Sequence, residues 1–217
     1  MKEKIPGVFF EGDKIFTLNL RQGQRVYGEM LVKKGNKEYR EWIPHRSKLA
    51  AAIKKGLRPK LKKGMKILYL GAATGTTCSH LSDIIGEEGI IFAVEFSERM
   101  MREFLKLCSQ RKNLVPILGD ARKPYEYGEV VEKVDLVYCD IAQPDATEVA
   151  LRNCDWFLNP GGYLMLAIKS RSVDVTKKPI EIYKNEIRKI KNAGFKIINW
   201  VKLDPYEKDH AFILAQR

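Results

Sequence analysis

The chain has 217 residues, 45% of them apolar, which suffices for one ordinary α/β domain plus a small extra module and excludes disorder throughout. Its net charge of +12 is concentrated: residues 1–60 carry 15 basic and 6 acidic groups, and residues 61–217 carry 24 and 21. Such a basic region points to a polyanion, nucleic acid ahead of membrane, and the longest apolar runs, YLMLAI and IIFAV, are too short to span a bilayer.

Residues 1–42 read as short antiparallel β segments, GVFFE, KIFTLNL, RVYGEMLVKK and KEYREWI, punctuated by glycines. No apolar stretch at the start resembles a secretory signal. In HRSKLAAAIKKGL, Pro44 and Ser47 suit a helix start, the alanines its interior and Gly56 its stop. Residues 1–56 are thus expected to form a small basic β module with a linking helix, and residues 57–217 the main domain.

From there strands and helices alternate. Strand-like runs are KILYLG (66–71), IIFAVE (90–95), LVPIL (114–118), VDLVYCD (134–140) and GYLMLAIK (162–169), with helical stretches near 76–86, 97–110, 143–157 and 179–193. This order predicts a parallel sheet with right-handed crossovers. FKIINWVKL and HAFILAQ at the end are separated by too short a link for a crossover and must pair as an antiparallel hairpin. Cys78, Cys108, Cys139 and Cys154 contain no C-x-x-C pair, which argues against a zinc ribbon or disulfide scaffold and fits a reducing compartment; His80 near Cys78 does not make a metal site.

The first parallel strand ends in LYLGAATGTT. Gly71 and Gly75 permit a tight strand-to-helix turn, and the helix N-terminal amides of Thr76 and Thr77 face whatever binds there. The spacing is G-x-x-x-G, so the dinucleotide fingerprint is incomplete. Glu95 closes the second strand, where an acid accepts from both ribose hydroxyls; Phe96 can stack on an adenine; Asp120 follows the third strand, where a carboxylate meets an adenine amino group. Each alone could be a helix cap or a structural turn. Together they describe a nucleoside pocket, and no phosphate-gripping lysine loop is present, which favours S-adenosylmethionine over a nucleoside triphosphate.

Asp140 and Lys169 end adjacent strands whose axes lie about 4.8 Å apart. His210 starts the antiparallel last strand and so belongs to the same rim; Lys48 lies in the first turn of the linking helix. Any one of them could be a solvated strand edge. As a set they suit methyl transfer to a weakly acidic hydroxyl such as a ribose 2′-OH. A lysine serves as base there only if its pKa falls well below about 10.4. Two other readings stay open: a methyltransferase for a protein glutamine or another non-ribose acceptor, and a binding module whose pocket is structural only. DIAQPD lacks the D/N-P-P-Y set used for base amino groups, and Cys139 points away from Asp140.

The segments EYREWIPHRSKLAAAI, KILYLGAATGTTCSHLSDI, FAVEFSERMMREF, LVYCDIAQPDATE and DWFLNPGGYLMLAIKSRSVD resemble the fibrillarin family in its archaeal form, over nearly the whole chain. The resemblance implies a class I, Rossmann-like S-adenosylmethionine-dependent methyltransferase fold: a seven-stranded, mostly parallel α/β sheet with a terminal antiparallel hairpin, plus a small N-terminal β module. It implies 2′-O-methylation of rRNA and tRNA guided by box C/D RNA. The implied partners are a Nop-type scaffold protein and, indirectly, a kink-turn-binding protein, in the cytoplasm of an archaeal cell. The family pattern carries cofactor contacts onto Gly71, Ala72, Ala73, Gly75, Thr76, Thr77, Glu95, Phe96, Asp120, Ala121, Asp140, Ile141, Ala142 and Gln143. Its catalytic tetrad maps onto Lys48, Asp140, Lys169 and His210.

Overall fold

Twelve strands form two sheets in the computed structural model, which describes residues 1–217. The N-terminal sheet is antiparallel and contains β1 (Lys2–Ile5), β2 (Val8–Glu11), β3 (Lys14–Leu18), β4 (Leu31–Lys34) and β5 (Lys37–Glu41), in the order β1-β2-β3-β5-β4. It departs from the sequence reading twice. β1 was not expected, because only Ile5 of KEKI is buried and no alternation shows. Residues 25–30, expected as strand, form a loop instead. The Glu29 carboxylate turns back to accept the amides of Val26 (3.0 Å) and Tyr27 (2.8 Å) and is gripped by Arg40 at 2.6 Å. A buried charge with local amide partners overrides strand propensity here.

A 3₁₀ turn at Pro44–Arg46 leads into α1 (Lys48–Lys54), capped by Ser47, whose Oγ accepts from the Ala50 amide at 3.4 Å. The main domain then runs β6 (Lys66–Leu70), α2 (Thr76–Ile85), β7 (Ile90–Glu95), α3 (Glu98–Cys108), β8 (Leu114–Leu118), β9 (Val134–Cys139), α4 (Ala146–Phe157), β10 (Leu158–Lys169), α5 (Ser170–Val173), α6 (Pro179–Asn192), β11 (Lys196–Lys202) and β12 (His210–Gln216). The strand order is β11-β12-β10-β9-β6-β7-β8, with β12 antiparallel to both of its neighbours and the rest parallel. β10 begins four residues earlier than expected: Leu158 pairs with Val134, and the register breaks before Tyr163, hiding the strand start behind Pro160 and two glycines.

Strand alternation gives the sheet two apolar faces. One face (Ile67, Tyr69, Leu136, Tyr138, Met165, Ala167, Phe212) packs under α1, α2 and α3. The other (Leu68, Val137, Cys139, Leu166, Ile213) packs under α4 and α6. Ile5, Val8, Ile15 and Trp42 of the N-terminal module share the first cluster with Leu81 and Ile84 of α2. Beside them lies a buried polar seam. Arg40 pairs with Asp83 at 2.8 Å and Arg111 with Asp83 at 2.6 Å, while His80 is bonded on Nδ1 by Thr17 and on Nε2 by Tyr27, both at 2.7 Å. The strand order reverses between β9 and β6, and ligands of open α/β sheets bind in the crevice beyond that point.

Candidate active site

Alternation sends Asp140 to the α1 side of the sheet, two residues after Tyr138 on the same face. Lys169 follows Ala167 there in the same way, and His210 precedes Phe212. Cys139 goes to the opposite face, as expected. The Asp140 amide donates to the Leu70 carbonyl at 3.0 Å, which locks the end of β9 onto the end of β6. Gly71 (φ +86°) makes that approach possible, because a Cβ there would sit 3.0 Å from the Asp140 carbonyl oxygen and 3.1 Å from Ile141 Cγ2.

Three of the four tetrad residues are in contact. Lys48 Nζ lies 3.2 Å from Asp140 Oδ2, and Lys169 Nζ lies 2.9 Å from Oδ1. Lys169 directs its hydrogen bond to the main-chain oxygen of Asp140 at 3.0 Å, so the buried Oδ1 takes no aligned hydrogen bond despite the close charge. The three side chains are only 13–17% exposed. Two ammonium groups thus share one carboxylate, leaving one positive charge in excess. His210 stands directly opposite Lys169 in the β10–β12 pairing, but its Nδ1 is bonded to the Lys208 carbonyl at 2.6 Å. The structure places it beside the triad without a side-chain hydrogen bond or ion pair to it.

Lys48 is held by its helix. Ser47 Oγ, besides capping α1, is bonded to Thr77 Oγ1 at 2.9 Å, and both residues are buried. The first turn of α1 is thereby fastened to the first turn of α2. The Thr77 side chain is committed to this bridge rather than turned to the crevice.

The crevice itself has a volume of about 280 Å³. Of the expected cofactor residues, Gly71, Ala73, Glu95, Phe96, Asp120, Ala121, Asp140, Ile141, Ala142 and Gln143 line it, and so does Lys169. Ala72, Gly75, Thr76 and Thr77 do not. Ala72 is buried, and Gly75 (φ +90°) sits where a Cβ would meet Leu107 at 2.5 Å and Phe104 at 2.7 Å, so its role is to let α3 close on the loop. Val94, Ser97, Gly119 and Arg122 line the crevice without having been expected. Arg122 alone had a legible signal, a cation two positions after Asp120. Arg122 grips Asp120 with Nε and Nη2 at 2.9–3.1 Å and holds that carboxyl below its ordinary value.

The residues fit a nucleoside. Glu95 accepts the amides of Ala73 (2.7 Å) and Ser97 (2.8 Å), one on each oxygen, so its orientation is set and one acceptor site per oxygen remains for a vicinal diol. Phe96 is 71% exposed at the crevice, an uncovered ring available for stacking. Asp140 and Lys169 belong to both the crevice and the triad, so a group bound in one touches the other.

A family model described as Fibrillarin matches residues 1–217. A fibrillarin-like rRNA/tRNA 2′-O-methyltransferase of Staphylothermus marinus is 56% identical over 99% of this chain and 94% of its own. The structure of Aeropyrum pernix fibrillarin with natively bound S-adenosyl-L-methionine superposes with a TM-score of 0.87 at 52% identity, covering 93% of this chain and 88% of that one. A chain of a fibrillarin/Nop5p complex superposes with a TM-score of 0.92 at 45% identity, covering all of both chains. With a Rossmann-like methyltransferase sheet, a nucleoside crevice at its reversal point and a match from end to end, the chain belongs to the fibrillarin family.

Proposed function

We propose that this chain methylates the 2′-hydroxyl of ribose in rRNA and tRNA, with S-adenosylmethionine as donor and box C/D guide RNA selecting the target. The observation that carries the reading is the shared position of Asp140 and Lys169 in the crevice and the lysine–carboxylate triad. The names of the relatives support the substrate class.

When bound, S-adenosylmethionine supplies a methyl group activated on a sulfonium. The chain supplies the rest. Glu95 holds the ribose of the donor, Phe96 stacks on its base, and Asp120 meets the base's polar edge. At the mouth, Lys169 takes the proton of the acceptor hydroxyl. Asp140, 2.9 Å from that amine, orients it and remains beside it as the countercharge once the proton has arrived. Lys48 fixes the other carboxylate oxygen, and His210 flanks Lys169 at the rim. A placed base is worth about 10²–10⁴-fold, and alignment of the hydroxyl with the methyl at least as much.

The chain carries no aromatic RNA-recognition motif or groove-reading helix, and contacts to phosphates alone carry no sequence information. Target choice therefore comes from outside the chain, and the resemblance to the fibrillarin family supplies its source: a guide RNA on a Nop-type scaffold protein with a kink-turn-binding protein beside it. The solved fibrillarin/Nop5p complex supports a scaffold of this kind. No helix is long and apolar enough to cross a membrane, and the four unpaired cysteines suit the reducing cytoplasm of an archaeal cell.

The test is methylation with and without an assembled guide particle, read by mass spectrometry of the target. The expected product is one methyl on the ribose of the guide-selected nucleotide, with little selective methylation by the lone protein. Methyl on a base or on protein, or selective modification by the lone chain, overturns the reading.

A further inference from the structure

A groove larger than the crevice lies elsewhere in the molecule. It holds about 600 Å³, roughly twice the crevice volume, and opens at the other end of the sheet, where β6 and β9 begin. A six-residue strand separates the two openings by about 20 Å. Its walls come from the tip of the β1–β2 turn, the segment between α1 and β6, and the Asn159–Gly162 start of β10.

The segment between α1 and β6 has a telling pattern. Arg58, Lys60 and Lys62 are exposed, while Pro59 and Leu61 between them are buried. The apolar residues pin the segment to the body, and the alternation puts three cations along one side. Cations two residues apart stand at most about 7 Å apart along the chain, comparable with successive phosphates of one nucleic-acid strand. Lys4 adds a fourth cation from the facing wall. None of the four makes an ion pair. Lys4 lies 5.1 Å over the Phe10 ring, and Arg58 donates to its neighbour's carbonyl. The one lining acid, Asp135, accepts the main-chain amide of Lys66 at 3.0 Å, a bond that ties it to the sheet.

We propose that this groove is a second RNA-contacting surface, one that holds a sugar–phosphate backbone without reading sequence, on the side of the molecule away from methyl transfer. An array of unpaired cations on a preformed wall matches a polyanionic chain, and its binding releases counterions. Of the large apolar side chains lining the groove, Ile5, Leu61 and Met65 are buried and only Tyr163 is partly exposed, so the wall is dominated by its cations rather than by a cluster of apolar anchors of the kind that carries protein–protein contacts. The choice of RNA rests on the proposed function; cofactor affinity, measured in parallel, separates failure of the groove from failure of the crevice.

The experiment is fluorescence anisotropy of a short, mixed-sequence, labelled single-stranded RNA with the full chain across a salt series. The variants are Arg58→Glu/Lys60→Glu/Lys62→Glu and the milder Arg58→Gln/Lys60→Gln/Lys62→Gln, the latter covering any misfolding of the former. The control is Lys184→Glu/Arg188→Glu/Lys191→Glu on exposed α6 positions. The groove variants should weaken RNA binding at least about tenfold and flatten the slope of log affinity against log salt by about 2, with S-adenosylmethionine binding unchanged. An equal loss in the α6 control would reduce the effect to net charge and overturn the proposal. So would unchanged RNA binding in the groove variants, or loss of scaffold-protein binding alone.

Discussion

Asp140 is asked to satisfy two ammonium groups with one carboxylate, and the crevice residues are arranged so that this unequal sharing occurs where methyl transfer is placed. Lys169→Ala removes the proposed base but leaves Glu95 and the loop amides intact. Single-turnover methylation in the guide particle should fall by about 10²–10⁴-fold, while calorimetry shows S-adenosylmethionine still binding. Retained full activity would remove Lys169 from its role. Arg40 presents the same physics without solvent. It is fully buried between Glu29 and Asp83, where its loss leaves Glu29 with no cation and Asp83 with Arg111 alone. Arg40→Met should lower stability by about 3–5 kcal/mol in denaturant unfolding, and a loss below 1 kcal/mol would mean that the seam tolerates unpaired charge. The place of Lys169 beside Asp140 was legible in the sequence because strand ends announce a shared rim, whereas Lys48, in the first turn of α1, gave no such signal of its own. The Arg40–Asp83–Arg111 seam was not, because its members lie on three unrelated segments with no common spacing.

At the scale of elements, α1 matters for what it carries rather than for what it buries. Its capping residue doubles as a clasp to α2 through Thr77, and the next residue is Lys48. Ser47→Ala removes cap and clasp together. The expected cost is about 1 kcal/mol of stability. A larger effect is expected on the rate of methyl transfer than on cofactor affinity, because Lys48 lies outside the crevice lining. Equal losses in rate and affinity would show that the bridge serves the cofactor loop instead. The parallel sheet, its crossovers and the terminal hairpin were readable from runs of apolar residues and the length of the link between the last two strands. The N-terminal sheet was read less well. β1 is charged at three of its four positions, and the 25–30 loop has strand composition but is turned by Glu29.

For the molecule as a whole, stability should depend on pH through the seam that joins the two sheets. Burial, with Arg40 and Arg111 nearby, holds His80 well below its ordinary value of 6.5. The native state therefore keeps it neutral while the unfolded chain takes up a proton as pH falls through about 6.5. The unfolded state binds more protons there, so stability is lost with falling pH, by up to about 1.4 kcal/mol per pH unit. Glu29 pays desolvation, but Arg40 and the Val26 and Tyr27 amides outweigh it and lower its pKa, so a second acid loss begins below about 4.5. Thermal melts of the wild type should decline between pH 7 and 5, and His80→Asn should flatten that limb; identical slopes would rule out the histidine as its source. The account as a whole rests on a methyl donor lodged between Glu95 and the Lys48–Asp140–Lys169 triad. A crystal structure of this chain with S-adenosylmethionine tests that most directly. The predicted density places the donor's ribose on Glu95 and its methyl at the mouth beside Asp140 and Lys169. Density elsewhere, or a methyl turned away from that triad, would contradict it.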